Sequence, residues 1–240
     1  MELTKTTDTA STGSPVSALI TMFYDPRRAY AMLEPKRHAW LPLVLLIVAI
    51  GALFTWYFSI VDFPWFMDQL FAAMKPAERD MAKGMMTRTV MQTTTVLSAV
   101  VSYPMICAVA GLYFMMVGKF INQNISFGTG FALSAWSSVP ALLMLPMGAV
   151  AIAMSSGGQL AMAELNPLSV NQLFFQYDMA NPMSGPLDSI NVFSVWSAFL
   201  MIVGFQVWTK AALSTALKVV LIPYVCIYAI WFAFAMSQSA

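Results

Sequence analysis

The sequence predicts an all-α membrane protein with five transmembrane helices and additional interfacial amphipathic helices. Apolar residues make up 59% of the 240 residues and charged residues only 10%, with a mean hydropathy of +0.71, which excludes a soluble protein. Five stretches contain no Asp, Glu, Lys, Arg or His, and their lengths suit a bilayer crossing, which takes ~20 mainly apolar residues. These predicted spans are 40–60, 90–118, 127–154, 190–209 and 219–236.

The chain is predicted to have two parts, a short tail and a membrane domain. Residues 1–15 are rich in Thr and Ser and nearly free of large apolar side chains, which is typical of a disordered tail. No apolar stretch follows a basic start here, so the region does not resemble a cleavable signal peptide. Residues 16–240 are predicted to form one five-span membrane domain, because the spans leave little chain for a separate soluble domain.

Two stretches are too charged to span a bilayer and too apolar to be free loops. They are 16–32 and 63–86. In the first, Asp25 is placed to cap a new helix that starts at Pro26, and the adjacent Arg27 and Arg28 would face anionic headgroups. Both stretches are predicted to be interfacial helices, so membrane lipids are expected partners. The alternative is that they pack on the ends of the bundle or on a partner.

Prolines occur beyond the first turn in three of the predicted spans, and each removes an intrahelical hydrogen bond. They are Pro104, Pro140, Pro146 and Pro223. We expect the third span to be bent or interrupted between Pro140 and Pro146. Broken helices can form substrate sites, but kinks can also simply improve packing.

The distribution of Lys and Arg predicts the orientation. Segments on the side of the N-terminus carry eight of these residues, and the other side carries four, all in the loop after the first span. We therefore expect a cytoplasmic N-terminus and an external C-terminus. Lys210 and Lys218 separate the last two predicted spans. Lys218 is the best candidate for a charge at membrane depth, although its long stem can snorkel to the interface.

The sequence offers no constellation that indicates catalysis, a cofactor or a metal. The single histidine, His38, lies in a basic cluster at a membrane boundary, and no His, Cys, Asp or Glu group has metal-ligand spacing. The 20 methionines are scattered through every segment and read as apolar filler rather than as copper ligands. Cys107 and Cys226 lie within spans, which does not indicate a disulfide framework. The net charge of +1 gives no argument for nucleic acid binding.

Three segments resemble the Ypt-interacting protein (Yip) family of five-span membrane proteins. FYDPRRAYAMLE followed by WLPLVLL is similar to the family's opening, and SFGTGFALSAWSSVPALL, with Pro140, is similar to its third span. INVFSVWSAFLMIVGF, followed by Lys210, is similar to its fourth-span start, with Phe193 and Trp196 in a Phe-x-x-Trp core. Asn191 stands where we would expect Asp. The candidate interaction or structural positions are Asp25, Pro26, Arg27, Arg28, Pro140, Asn191, Phe193, Trp196, Lys210 and Lys218.

The resemblance also implies a location and a set of partners. Eukaryotic members are associated with Rab-type GTPases through long cytosolic N-terminal regions, and the short segment before the first span here does not favour GTPase binding. The compact form is similar to bacterial members, which implies a bacterial inner membrane. We expect a non-enzymatic factor that binds another membrane protein or itself, or organises the membrane. The alternative is a transporter, channel or lipid translocator, or an accessory subunit of one.

The predicted orientation can be tested by labelling. In a background without Cys107 and Cys226, single cysteines at Ser11 and Ser169 should react with an impermeant reagent from opposite sides of the membrane. Reaction of both cysteines from the same side would contradict the orientation.

Overall fold

The computed structural model describes residues 14–33, 38–72 and 74–239. Within these residues the regular structure is helical, with one isolated β-bridge between Ser169 and Asn191. The α-helices, in chain order, are α1 (Pro15–Thr21), α2 (Pro26–Leu33), α3 (Trp40–Ile60), α4 (Phe63–Leu70), α5 (Pro76–Met85), α6 (Arg88–Phe120), α7 (Phe127–Ser137), α8 (Met144–Met154), α9 (Ser184–Ser189), α10 (Val192–Thr209) and α11 (Leu213–Ser239).

Five helical segments are long and apolar enough to cross a membrane, which confirms the predicted fold class. They are α3, α6, the consecutive pair α7 and α8, which make one span, and then α10 and α11. The largest difference from the predicted boundaries is at the start of the fifth span. The absence of charged residues predicts that the fifth span begins at residue 219, whereas α11 begins at Leu213. The helix starts earlier because the residues before Lys218 contain no helix breaker. Lys218 therefore lies in the second turn of a spanning helix and not in the loop before it.

The spans alternate between the two ends of the bundle. We call the end where α3 begins the proximal end, and the end that carries residues 155–191 the distal end. The loop after α8 meets the end of α3 there, because Asp62 N donates to Gly158 O at 2.9 Å. Tyr57 Oη on α3 also donates to Leu160 O at 2.8 Å. Consequently α6 and α10 run from the distal to the proximal end, and α11 returns.

Helix α7 is the central helix, because small residues let its neighbours approach closely. Every residue from Ala132 to Ser137 is buried. The closest approach is to α6: a Cβ added to Gly130 would lie 2.8 Å from Phe114 Cβ and 3.0 Å from Gly111 Cα. The two backbones can cross at this distance only with glycine on both sides.

The third span is interrupted, as predicted, although earlier than expected. Helix α7 ends at Ser137, a 3₁₀ segment covers Val139–Leu143, and α8 follows. Ser138 N donates to Ala135 O at 3.3 Å instead of to Ser134 O. The Ser138 hydroxyl donates to Ser134 O at 2.9 Å. Pro146 lies in the first turn of α8, where a proline costs no intrahelical hydrogen bond. Pro140 therefore marks the break and Pro146 does not.

Residues 155–191 fold over the distal end and are well anchored. Ser169 is fully buried and pairs with Asn191, so a cysteine there is a poor labelling reporter. Ser156 is exposed in the same loop and should replace it in the labelling experiment. The other reporter, Ser11, lies outside the described residues, as does most of the predicted tail. Cys107 and Cys226 are free thiols.

The second charged stretch also forms helices, α4 and α5. On α4, Phe66 and Met67 are buried in the distal core, which also contains Tyr57 and Phe58 of α3. Lys83 on α5 forms an ion pair with Asp68 on α4, and this hydrogen bond lowers the pKa of the Asp68 carboxyl. Helix α4 therefore packs on the bundle end, in agreement with the alternative given for this stretch.

The crossing of α6 and α7 can be tested with two alanine substitutions on one helix. Gly130→Ala should destabilise the protein by about 1–3 kcal/mol, because the new Cβ meets the α6 backbone. Gly128→Ala is the matched control, since the nearest atom to its new Cβ is Ser126 Oγ at 3.9 Å. Thermal unfolding in detergent measures both. Equal melting temperatures for the two variants would contradict the close crossing.

Candidate interaction surface

Residues 15–33 form a helical hairpin that packs beside α10. Ser14 Oγ accepts from Ser17 N at 3.1 Å and caps α1. The chain then turns after Thr21, and Asp25 Oδ1 accepts from Arg28 N at 3.1 Å at the start of α2. The two predicted helices and the break at Asp25-Pro26 are confirmed.

Tyr30 of α2 is the residue that attaches the hairpin to the bundle. Its side chain is fully buried, and its ring occupies the space above Gly204, where a Cβ would lie 2.4 Å from Tyr30 Cζ. Tyr30 Oη lies 2.9 Å from Ser137 Oγ, which itself donates to Leu133 O at 2.6 Å. Because the Ser137 proton is used there, Tyr30 is the donor to Ser137. Burial raises the pKa of the Tyr30 hydroxyl, which keeps the donor protonated.

Helix α10 holds the other side of Tyr30. Trp208 Nε1 donates to Tyr30 O at 2.9 Å, and the two rings pack edge to face at 5.3 Å. Tyr30 therefore joins α2, α7 and α10 through two buried hydrogen bonds. A tyrosine is needed here because it combines a large apolar ring with a terminal donor.

The hairpin lies along α10 rather than only across its end. Phe23 packs edge to face on Trp196 at 5.7 Å, and Arg27 Nη2 donates to Gln206 Oε1 at 3.2 Å. From Trp196 to Trp208 these contacts cover about 18 Å of helix, at ~1.5 Å per residue. The apolar side of the hairpin thus faces the bundle. This agrees with the alternative that the stretch packs on the bundle instead of lying free in the interface. Its depth relative to a bilayer stays a prediction.

The outer side of the hairpin combines apolar and basic groups. Val16 and Ile20, one helical turn apart on α1, are 56% and 61% exposed, and Tyr24 in the turn is 71% exposed. Arg27 and Arg28 are exposed at the start of α2. We call these five residues the hairpin face. An apolar patch beside two arginines suits contact with a partner protein or with headgroups.

The remaining predicted positions have structural roles or stand apart. Asn191 caps α10: its Oδ1 accepts from Ser194 N at 2.9 Å, and Ser194 Oγ accepts from Asn191 N at 2.9 Å. An asparagine supplies the same acceptor that an aspartate would, so the departure from the family pattern preserves the cap. Phe193 and Pro140 are buried, so neither offers a surface.

The two predicted lysines do not form one site. Lys210 adopts a left-handed conformation with φ of 58° at the end of α10, and its Nζ donates to Val207 O at 2.7 Å. Lys210 therefore lies in the same last turn that Arg27 reaches. Lys218 is exposed on α11, beside Leu217, Leu221 and Ile222. Reasoning from the sequence missed the roles of Tyr30 and Gly204. Tyr30 is an aromatic residue with a terminal hydroxyl on an amphipathic helix, and Gly204 is a glycine inside a span.

Among the described residues, no group of three or more His, Cys, Asp or Glu side chains could hold a metal ion. The break in the third span borders a cavity of about 240 Å³ between α3, α6 and α8, and its lining is mainly apolar. The hydroxyls nearest the break, Ser137 and Ser138, donate to carbonyls of their own helix. The break therefore does not line a polar pathway.

Comparison with known proteins gives one match. A family model described as the Yip1 domain matches residues 20–234, nearly the whole chain. No curated protein and no solved structure matches the sequence.

The role of Tyr30 can be tested with a pair of tyrosine substitutions. Tyr30→Phe should lower the free energy of unfolding by about 1 kcal/mol, because it removes one buried hydrogen bond and leaves the ring in place. Tyr24→Phe is the matched control on the exposed side and should change it little. Combining Tyr30→Phe with Ser137→Ala should cost less than the sum of the single changes, since both remove the same bond. Additive effects in thermal unfolding would contradict the Tyr30–Ser137 contact.

Proposed function

This chain belongs to the Yip1 domain family, and we propose that it is a non-enzymatic membrane protein that binds and organises other membrane proteins. The observation that carries this proposal is the hairpin face. It presents apolar and basic side chains outward, while Tyr30 holds the hairpin on α7 and α10. A partner that binds such a surface does not have to order it first, so little binding free energy is lost to conformational entropy.

The charges support a cytoplasmic position for the proximal end. Arg27, Arg28, Lys119, Lys210 and Lys218 lie there among the described residues, with Asp25 as the acidic residue. The distal end carries four Lys and Arg residues, whereas the segments predicted on the side of the N-terminus carry eight in the full sequence. The positive-inside rule then favours a cytoplasmic proximal end and an external loop 155–191. The similarity to compact bacterial members favours the inner membrane as its location.

A transport function has less support. A transporter would be expected to place polar or charged groups around a cavity at membrane depth. The cavities bordered by the spans have mainly apolar linings, and the hydroxyls of Tyr30, Tyr113 and Ser137 are used in contacts within the protein. Transport of a lipid or solute by the purified protein in liposomes would overturn the binding function.

The hairpin face can be tested without disturbing the core. Deleting residues 16–33 would remove Tyr30 and destabilise the bundle, so surface substitutions are the better test. Ile20→Ser with Tyr24→Ser should reduce recovery of bound membrane proteins by about tenfold, which corresponds to ~1.4 kcal/mol of binding free energy.

The matched control is Met81→Ser with Met85→Ser on α5, since these residues are 73% and 75% exposed at the other end. Quantitative mass spectrometry after affinity purification in mild detergent compares the variants, and a tagged and an untagged copy report self-association. Equal losses from both double variants, with unchanged melting temperatures, would contradict a specific role of the hairpin face.

A further inference from the structure

Three large apolar side chains follow one another on the surface of the loop between α8 and α9. They are Leu173, Phe174 and Phe175, which are 50%, 76% and 48% exposed. We call these three residues the apolar turn, because they belong to a single π-helical turn, Asn171–Phe175. The surrounding segment 170–177 contains no charged residue. An exposed apolar patch of this kind marks a contact with another protein or with a membrane.

The apolar turn is held in shape by Asn171, whose side chain is fully buried. Asn171 Oδ1 accepts from Tyr177 N at 2.9 Å, and Asn171 Nδ2 donates to Tyr177 O at 3.0 Å. Ser169 Oγ accepts from Gln172 N at 3.2 Å, and Gln176 N donates to Asn171 O at 2.7 Å. These backbone groups are satisfied within the loop, so the apolar side chains are presented by a fixed turn.

The glutamines of the same turn face a polar cavity. Gln172 and Gln176 line this cavity of about 420 Å³ at the distal end, together with Glu164 and Asp188. The segment is therefore amphipathic: its amide side chains face the loop's own cavity, and its apolar side chains face outward. This two-sided arrangement is typical of a segment that lies at a membrane surface.

The length of α10 limits how far the loop can stand from the bilayer. Helix α10 has 18 residues and is the shortest of the five spans, so it is about 27 Å long at ~1.5 Å per residue. Lys210 follows its proximal end, and the charge of this lysine belongs in the headgroup layer. Because the hydrocarbon core is ~30 Å thick, the distal start of α10 lies at the boundary between acyl chains and headgroups.

The apolar turn is bonded directly to that start. Val170 N donates to Ile190 O at 2.8 Å, and Ser169 pairs with Asn191, the cap of α10. Even at the ~1.5 Å per residue of an α-helix, residues 171–175 add at most about 8 Å beyond Val170. The headgroup region is about 5–8 Å thick on each side of the hydrocarbon core. The apolar turn therefore lies at the level of the distal headgroups.

From this depth and sidedness we propose that the apolar turn inserts into the distal leaflet and attaches the loop to the membrane in addition to the five spans. Lipid is the occupant because it already surrounds α10 at this level: Val192 and Val195, in the first turn of α10, are 49% and 63% exposed. Apolar rings gain free energy on leaving water, and an uncharged segment requires no particular headgroup. This attachment goes beyond the function proposed above and does not depend on it.

Spin labelling in vesicles measures the depth of the apolar turn. Phe174→Cys is introduced into the full chain in a background with Cys107→Ala and Cys226→Ala, and a nitroxide is attached. The protein is reconstituted into vesicles of palmitoyl-oleoyl phosphatidylcholine and phosphatidylglycerol. Oxygen, which concentrates in lipid, should relax this label efficiently, whereas a water-soluble nickel chelate should not. The ratio should place the label at the ~5–10 Å depth of an interfacial apolar face.

The matched control is Ala180→Cys, which labels an exposed position in the same loop, where Ala180 N donates to Asp178 Oδ1. This label should be open to the nickel chelate. Leu173→Cys gives a second label in the apolar turn and should be shielded as the label at Phe174 is. Helical content and melting temperature show that each variant is folded.

Two results would overturn the attachment. Labels at Phe174 and Leu173 that are as open to the nickel chelate as the label at Ala180 would place the apolar turn in water. Labels that are immobilised and shielded from both oxygen and nickel would show that protein covers the turn. In that case, dipolar broadening that disappears on dilution with unlabelled protein would identify a second copy of this chain.

Discussion

The structure depends on one constraint of the bilayer: a backbone carbonyl that loses its helical partner inside hydrocarbon has no water to replace it. The chain nevertheless interrupts its third span and places a proline within its fifth. At both places a nearby hydroxyl replaces the missing donor. Ser138 Oγ bonds Ser134 O at the end of α7, and Tyr113 Oη bonds Val219 O at Pro223. The second repair also joins two helices, so satisfying the backbone produces tertiary structure.

Tyr30 shows how the same chemistry fixes the hairpin. Its hydroxyl enters the bundle beside the break and donates to Ser137, while its own carbonyl accepts from Trp208. Gly204 leaves the space for the ring. A buried tyrosine without these partners would cost several kilocalories per mole, so the contact is specific as well as stabilising. The hairpin face is therefore attached to the rigid centre of the molecule and not to a loop.

Composition predicts the spans because a lipid-facing helix must be apolar on nearly all sides, a signal that needs no partner residue. The turn at Asp25-Pro26 was predictable for a related reason, since caps and prolines act locally. The contacts that place the elements were not. Tyr30 meets Ser137 across 107 positions and Tyr113 meets Val219 across 106, and nothing local in the sequence pairs them. The predicted start of the fifth span is too late, because absence of charge marks the hydrocarbon and not the end of a helix.

The hairpin and the last span are held to the bundle differently. The hairpin is fixed by two buried hydrogen bonds to Tyr30, so its outer surface keeps its shape when the surrounding lipid changes. Helix α11 meets α6 through the Tyr113 hydroxyl, and an apolar cleft of about 450 Å³ lies between the two helices. Because few direct contacts fix α11 against α6, its position should depend on the surrounding lipid more than the position of the hairpin does.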